Sequence, residues 1–145
     1  MPVVRDARSG LSRCTAMTDV IASVMRTDYL TLDTEMPIRQ AAGLLHANGQ
    51  EAAPVVDAAG TLVGILTQKD CFRPAMMASY YRQWRGTVGD QMSRPVKTIE
   101  AEADIVAAAE MFLAEPHRAF PVLRSGQIIG LLRREDVLGR LLELG

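Results

Sequence analysis

The densest group of chemistry-bearing residues is Gly64-Ile65-Leu66-Thr67-Gln68-Lys69-Asp70. Thr67 and Asp70 are three apart, so at the start of a helix they lie on one face. A carboxylate held there can accept from two adjacent hydroxyls, and each charge-assisted bond contributes roughly 1.5–3 kcal/mol. The Thr67 hydroxyl and nearby backbone N–H groups would sit where a helix N-terminus attracts phosphate. Gly64 leaves its strand without a Cβ, which lets another group approach closely. Ala53, Pro54, Val55 and Ile65 supply aliphatic walls that fit a flat ring better than a charged one. Plain capping explains Thr67 and Asp70 as well, because both types are favoured at helix starts. Lys69 is either a solvated side chain or long enough to reach a polyphosphate.

The elements that would position these residues are written twice in the chain. At an offset of 67, Met25 falls on Met92, Thr31 on Thr98, Glu35 on Glu102, Ile38 on Ile105, Ala41-Ala42 on Ala108-Ala109 and Pro54-Val55 on Pro121-Val122. One residue is then lost in a turn, and at 66 Gly60 meets Gly126, Gly64 meets Gly130, Leu66 meets Leu132 and Asp70 meets Asp136. The matches run through the whole unit in order, which chance does not explain, and a repeat of this kind decides the fold.

Each copy reads as β-α-β-β-α. A short extended segment (29–32; 96–99) precedes a helical stretch with apolar residues at i, i+3, i+4 and i+7: Ile38, Ala41, Ala42, Leu45, then Ile105, Ala108, Ala109, Phe112. Pro37 suits the first turn of the first helix. Strands follow at 53–56 and 62–66, and at 120–123 and 128–132, with last helices starting near Asp70 and Asp136. A unit of this size buries too little surface alone, so the two copies are expected to share a core with approximate two-fold symmetry. The linker at 73–91 places Met76, Tyr80 and Trp84 at i, i+4 and i+8. It predicts a helix that continues from Asp70, is interrupted at Pro74 and stops at Gly86. That stripe is either core or an association surface.

The ordered set resembles the CBS domain, arranged as a tandem pair (a Bateman module). The residues that carry the resemblance are Met25 with Thr31, Pro54-Val55-Val56-Asp57 and Gly64 to Asp70. In the second copy they are Met92 with Thr98, Pro121-Val122 and Gly130-Leu131-Leu132-Arg133-Arg134-Glu135-Asp136. It implies an α/β (α+β) fold of two pseudo-symmetric β-α-β-β-α repeats packed face to face. The expected divisions are a flexible N-terminal segment at 1–19, repeat 1 at 20–72, the linker at 73–91, repeat 2 at 92–140 and a tail at 141–145. It further implies a regulatory, non-enzymatic role. An adenosine-containing ligand (AMP, ADP, ATP or S-adenosylmethionine, sometimes NAD) would bind in the cleft between copies, with Mg²⁺ accompanying ATP and no tightly bound cofactor. The ligand-binding set so implied is Thr31, Ala53, Pro54, Val55, Gly64, Ile65, Thr67, Lys69, Asp70, Thr98, Pro121, Val122, Arg133 and Asp136. The second copy departs at Arg133, which stands where the first has Thr67. Its planar fork either binds phosphate or fills the pocket. A homodimer and a separate effector protein are also implied. A ligand-free oligomerisation or adaptor module is the alternative.

Composition sets the outer bounds. Hydrophobic residues make up 48% and aromatic residues 5%, so the core should be aliphatic. Sixteen basic and 17 acidic residues leave a net charge of −1, which gives no broad field for nucleic acid or anionic membrane. No apolar run approaches the roughly 18 residues of a membrane-spanning helix, and the N-terminus lacks a secretory apolar region. A cytoplasmic protein is therefore expected. Cys14 and Cys71 are too far apart for a metal or redox motif. His46 and His117 do not coincide under the repeat and have no second ligand at metal spacing. Cys71 reads as a small buried hydrophobe or as a thiol lowered by a helix end. No nucleophile–base pair or paired carboxylates recur at a usable spacing.

Overall fold

A computed structural model describes residues 20–145, so the N-terminal segment 1–19 and Cys14 lie outside the described residues. A 3-10 turn at Ile21–Ser23 leads into β1 (Leu32–Asp33), α1 (Ile38–Asn48), β2 (Ala52–Val56) and β3 (Leu62–Thr67). A 3-10 turn at Lys69–Cys71 runs into α2 (Phe72–Tyr81), and the single-turn α3 (Val88–Gln91) follows. The second copy holds β4 (Ile99–Glu100), α4 (Ile105–Ala114), β5 (Ala119–Arg124), β6 (Gln127–Arg133) and α5 (Arg134–Leu144).

The two sheets have the same topology, β1-β2-β3 and β4-β5-β6, with the first pair parallel and the second antiparallel. The registers coincide too. Leu32 pairs with Val55 as Ile99 pairs with Val122, and a register shift follows Val55 and Val122 alike. The one-residue gap between copies falls in the β-hairpin turn. In the first copy Asp57 Oδ1 accepts from the N–H groups of Ala59 and Thr61, both at 2.9 Å, and Gly60 takes φ 86°. In the second, Ser125 and Gly126 form a two-residue turn with φ 53° and 77°, the positive pair that a tight hairpin needs.

Proline in a central strand normally removes a ladder bond. Here Pro54 lies opposite Ile65, whose own N–H and C=O turn outward to Ser93 at 3.1 and 2.9 Å. The pair is therefore of the non-hydrogen-bonded type, and the missing donor faces the chain just before β1. There the Gln50 side-chain amide takes both backbone groups of Leu30, at 3.0 and 3.2 Å.

The chain divides into two compact units. One is Asp28–Lys97, and the other is Thr98–Gly145 together with the described residues up to Thr27. The segment that opens each sequence repeat therefore belongs to the other repeat's unit. Each unit has its own core. In the first, α1 buries Ile38, Ala41 and Leu45 against Leu32, Ala53, Val55 and Leu66. In the second, α4 buries Ile105, Ala108 and Phe112 against Ile99, Phe120, Val122 and Leu132. Phe120 lies 4.6 Å from Phe112 and 5.5 Å from His117, centroid to centroid, so this core is partly aromatic rather than wholly aliphatic.

The exchanged segments explain the glycines. A Cβ on Gly64 would stand 2.5 Å from Met92 Sδ and 3.2 Å from the Ser93 carbonyl oxygen. One on Gly130 would stand 2.9 Å from Met25 Cγ and 3.1 Å from the Arg26 carbonyl oxygen. The space beside each glycine is thus taken by protein backbone and a methionine, so the group whose close approach the missing Cβ permits belongs to the chain itself. Gly64→Ala should destabilise by about 1–3 kcal/mol, the usual range for overpacking. Adding Met92→Ala should recover part of that loss, because the thioether is the nearest obstacle. Urea unfolding of the two single variants and the double variant measures the coupling, and strict additivity would refute it.

The linker departs from expectation in two places. Pro74 is the third residue of α2 and is buried; its missing N–H falls among donors that a first turn leaves unpaired anyway, so it interrupts nothing. The helix ends at Arg82, not Gly86, because Arg82 itself takes the left-handed conformation at φ 56°. Trp84 consequently leaves the Met76/Tyr80 stripe and packs, half-buried, against the Asp28–Lys97 core.

Candidate functional site

β3 delivers Thr67 to the point where the strand becomes helix. The Thr67 N–H donates to Asp70 Oδ2 at 2.9 Å, and the Asp70 N–H donates to Thr67 Oγ1 at 3.2 Å. This is the reciprocal arrangement of a capping box, so the capping role is realised. It engages one carboxylate oxygen only. Asp70 Oδ1 has no hydrogen-bond partner among the described residues, and the side chain is half-buried. An acceptor oxygen beside a helix start is therefore available.

Cys71 follows directly. It is buried, with Sγ 3.6 Å from the Thr67 carbonyl oxygen. Burial, and then the Asp70 charge, push its thiol up from the ordinary value. The small-hydrophobe reading holds, and a thiol lowered by the helix end is corrected.

The remaining first-copy residues all fall in the Asp28–Lys97 unit. Ala53 and Val55 are completely enclosed in the helix-side core. Alternation along a strand then turns Pro54 to the other face, and Ile65 lies opposite it. The expected four-residue aliphatic wall is split: Pro54 and Ile65 share a face that Ala53 and Val55 do not. Both are buried, Ile65 at 6% exposure. Thr31 is exposed one residue before β1, and Lys69 is exposed in the 3-10 turn.

The second copy repeats the backbone with different chemistry. Thr98 is half-buried just before β4, Pro121 is buried, and Val122 is enclosed in its own core. Arg133 stands at the N-cap of α5 but makes no side-chain cap. It forks onto Asp136 instead, Nε to Oδ2 and Nη2 to Oδ1, both at 2.8 Å, while Nη1 lies 3.2 Å from Glu135 Oε1. The bond to Asp136 holds the guanidinium above its ordinary range, against the opposing effect of burial. Both Asp136 oxygens are occupied.

Among the described residues no group of three or more His, Cys, Asp or Glu is placed to hold a metal. None of the described helices is long and apolar enough to cross a membrane. The spacing puts Trp84 on the helix and gives no sign of the loop behind α2, because both depend on a left-handed arginine that no motif announces.

Comparison with known proteins places this geometry. The sequence model of the CBS domain matches residues 21–75 and 86–143. A CBS domain-containing protein of Dictyostelium discoideum is 28% identical over 134 residues, which span 86% of this chain and 92% of that protein. The CBS-pair protein CBSX2 of Arabidopsis thaliana, solved in complex with AMP, superposes with a TM-score of 0.75 at 23% identity over 86% of this chain and 97% of that one. A CBS domain pair in complex with 5′-methylthioadenosine and S-adenosyl-L-methionine superposes with a TM-score of 0.72 at 24% identity, covering 87% and 97%. At these identities the superpositions speak to the fold.

Proposed function

Because the chain belongs to the CBS domain family, with one copy at each matched region, we propose that it is a regulatory module that binds an adenosine-containing ligand through its first copy and signals to a partner protein. The observation that carries this reading is the Thr67–Asp70 pair: a capped helix start whose carboxylate keeps one oxygen without a protein partner among the described residues. That oxygen can accept from a ribose hydroxyl. Pro54 and Ile65 present an apolar face for adenine, Thr67 and Lys69 serve the phosphate end, and Thr31 borders the site. Ala53, Val55 and Gly64 contribute backbone only. In the second copy Thr98, Pro121 and Val122 hold the matching positions, but Arg133 closes Asp136. Structures of family members bound to AMP, or to 5′-methylthioadenosine with S-adenosylmethionine, support the ligand class. We read the protein as cytoplasmic and homodimeric, with no catalytic step of its own.

A second reading, a ligand-free oligomerisation or adaptor module, is favoured by one observation. α2 leaves Phe72 65%, Met76 61% and Tyr80 81% exposed on one side. A thermal-shift panel of AMP, ADP, ATP and S-adenosylmethionine separates the two readings. A ligand at 100 times its Kd stabilises by about 2.7 kcal/mol, which raises the melting temperature by roughly 5–10 °C for a chain of this size. No shift with any of them at millimolar concentration would reject the ligand reading and leave the second.

A further inference from the structure

Charge is unevenly spread along this chain. Overall, 16 basic residues face 17 acidic ones, yet the stretch 71–89 contains Arg73, Arg82 and Arg85 and no Asp or Glu. The next acid, Asp90, is engaged by its own capping box with Thr87. Arg73 also sits in the first turn of α2, where the helix dipole disfavours a cation and where no acid accompanies it. Helix stability therefore does not account for Arg73.

The fold gathers this charge around a cavity. The left-handed Arg82 turns the chain back on α2, so Arg85 and Gln91 come to face the stripe Arg73, Pro74, Met77 and Tyr81. The space between them is about 360 Å³, within the size range of small-molecule sites. Pro74, Met77 and Tyr81 give it an apolar and aromatic lining, and Arg73 and Arg85 line it from two separate elements. Among the described residues Arg85 hydrogen-bonds to the neutral Gln83 amide alone, Nη2 to Oε1 at 3.4 Å, and Arg73 has no acidic partner.

We propose that this pocket is a binding site for a small organic phosphate monoester carried on a flat apolar body, separate from the Thr67–Asp70 site. Two forks are suited to a dianion, since a guanidinium meets phosphate oxygens bidentately. Pro74, Met77 and the Tyr81 ring are suited to the body, and the Gln91 amide supplies a neutral donor.

The probe is phenyl phosphate, titrated calorimetrically into the full chain. Saturable binding below about 10 mM is expected. Inorganic phosphate, which has no body to bury, should bind roughly tenfold more weakly. The Arg73→Gln/Arg85→Gln double variant should lose at least about tenfold, each single variant less, and raising the salt should weaken binding in the wild type. Both arginines are exposed, so the variants should melt with the wild type, and that is checked first. Saturating adenosine, which carries no phosphate and is directed to the Thr67–Asp70 site, should leave phenyl phosphate affinity unchanged. No saturation by 10 mM, unaltered affinity in the double variant, or displacement by adenosine would overturn the proposal. Benzoate binding as tightly as phenyl phosphate would overturn the assignment to a dianion.

Discussion

Asp70→Asn is expected to lower affinity for AMP about 10- to 100-fold while leaving the fold intact. The size follows from losing a charge-assisted bond of roughly 1.5–3 kcal/mol, at 1.4 kcal/mol per tenfold, because asparagine presents an NH2 donor where Asp70 Oδ1 stood. The asparagine keeps a carbonyl oxygen that can still accept from the Thr67 N–H, now 2.9 Å from Asp70 Oδ2. Asp70→Ala would remove that cap as well, at about 0.5–2 kcal/mol, and would mix the two roles. Thr67→Ala supplies the complement: it removes the hydroxyl that accepts from the Asp70 N–H at 3.2 Å and leaves the carboxylate in place. If Asp70 reads the ribose, the wild type and Thr67→Ala should both prefer AMP over 2′-deoxy-AMP, since a site built around a hydroxyl rejects the analogue that lacks it. Asp70→Asn should lose most of that preference. Equal calorimetric affinities of the wild type for the two nucleotides would reduce Asp70 to a helix cap.

Most of the architecture was legible because the sequence states it twice. The offset of 67 residues carries Leu32 and Val55 onto Ile99 and Val122, and those are the parallel pairs in both sheets. The gap in the alignment is a real difference in turn chemistry, a turn built around Asp57 against a Ser125-Gly126 pair. The periodic apolar residues of α1 and α4 do face the cores, because an amphipathic helix has one stripe to hide. Tertiary exchange was not legible. Met25 and Met92 mark the repeat, but nothing in a linear match says that each packs on the glycine of the other copy. Backbone conformation was not legible either. Glycine is the usual left-handed residue, so Gly86 was the natural end for α2, and Arg82 took that role instead. At the site, spacing placed Thr67 and Asp70 together. It did not reveal which wall residues share a face, because buried strands read as continuous apolar runs on both sides.

Arg133→Thr is expected to change the number of ligands bound per chain from about one to about two. In the wild type the Asp136 carboxylate has both oxygens committed to Arg133 at 2.8 Å, in a fork where the side chains are 28% and 24% exposed. A ribose must break that fork before it can bond to Asp136. Charge-assisted bonds of this kind contribute roughly 1.5–3 kcal/mol, so the second copy should bind about 10- to 100-fold more weakly than the first. The substitution restores the first copy's order of Gly, Thr and Asp around Asp136. It should weaken the fold only modestly. Arg133 occupies the N-cap of α5 without capping it, and threonine there can accept from a helix N–H, a gain of about 1 kcal/mol. That gain offsets part of the loss of the Arg133–Asp136 fork, so the variant should lose no more than about 2 kcal/mol of stability. Calorimetric stoichiometry with the ligand that gives the largest thermal shift measures the outcome. Asp70→Asn should abolish the tight site in the wild type and leave one site in the Arg133→Thr background. Two equal sites in the wild type would show that the fork is no barrier. A wild-type second site that disappears in Arg133→Thr would make the guanidinium a phosphate ligand rather than the occupant of its own pocket.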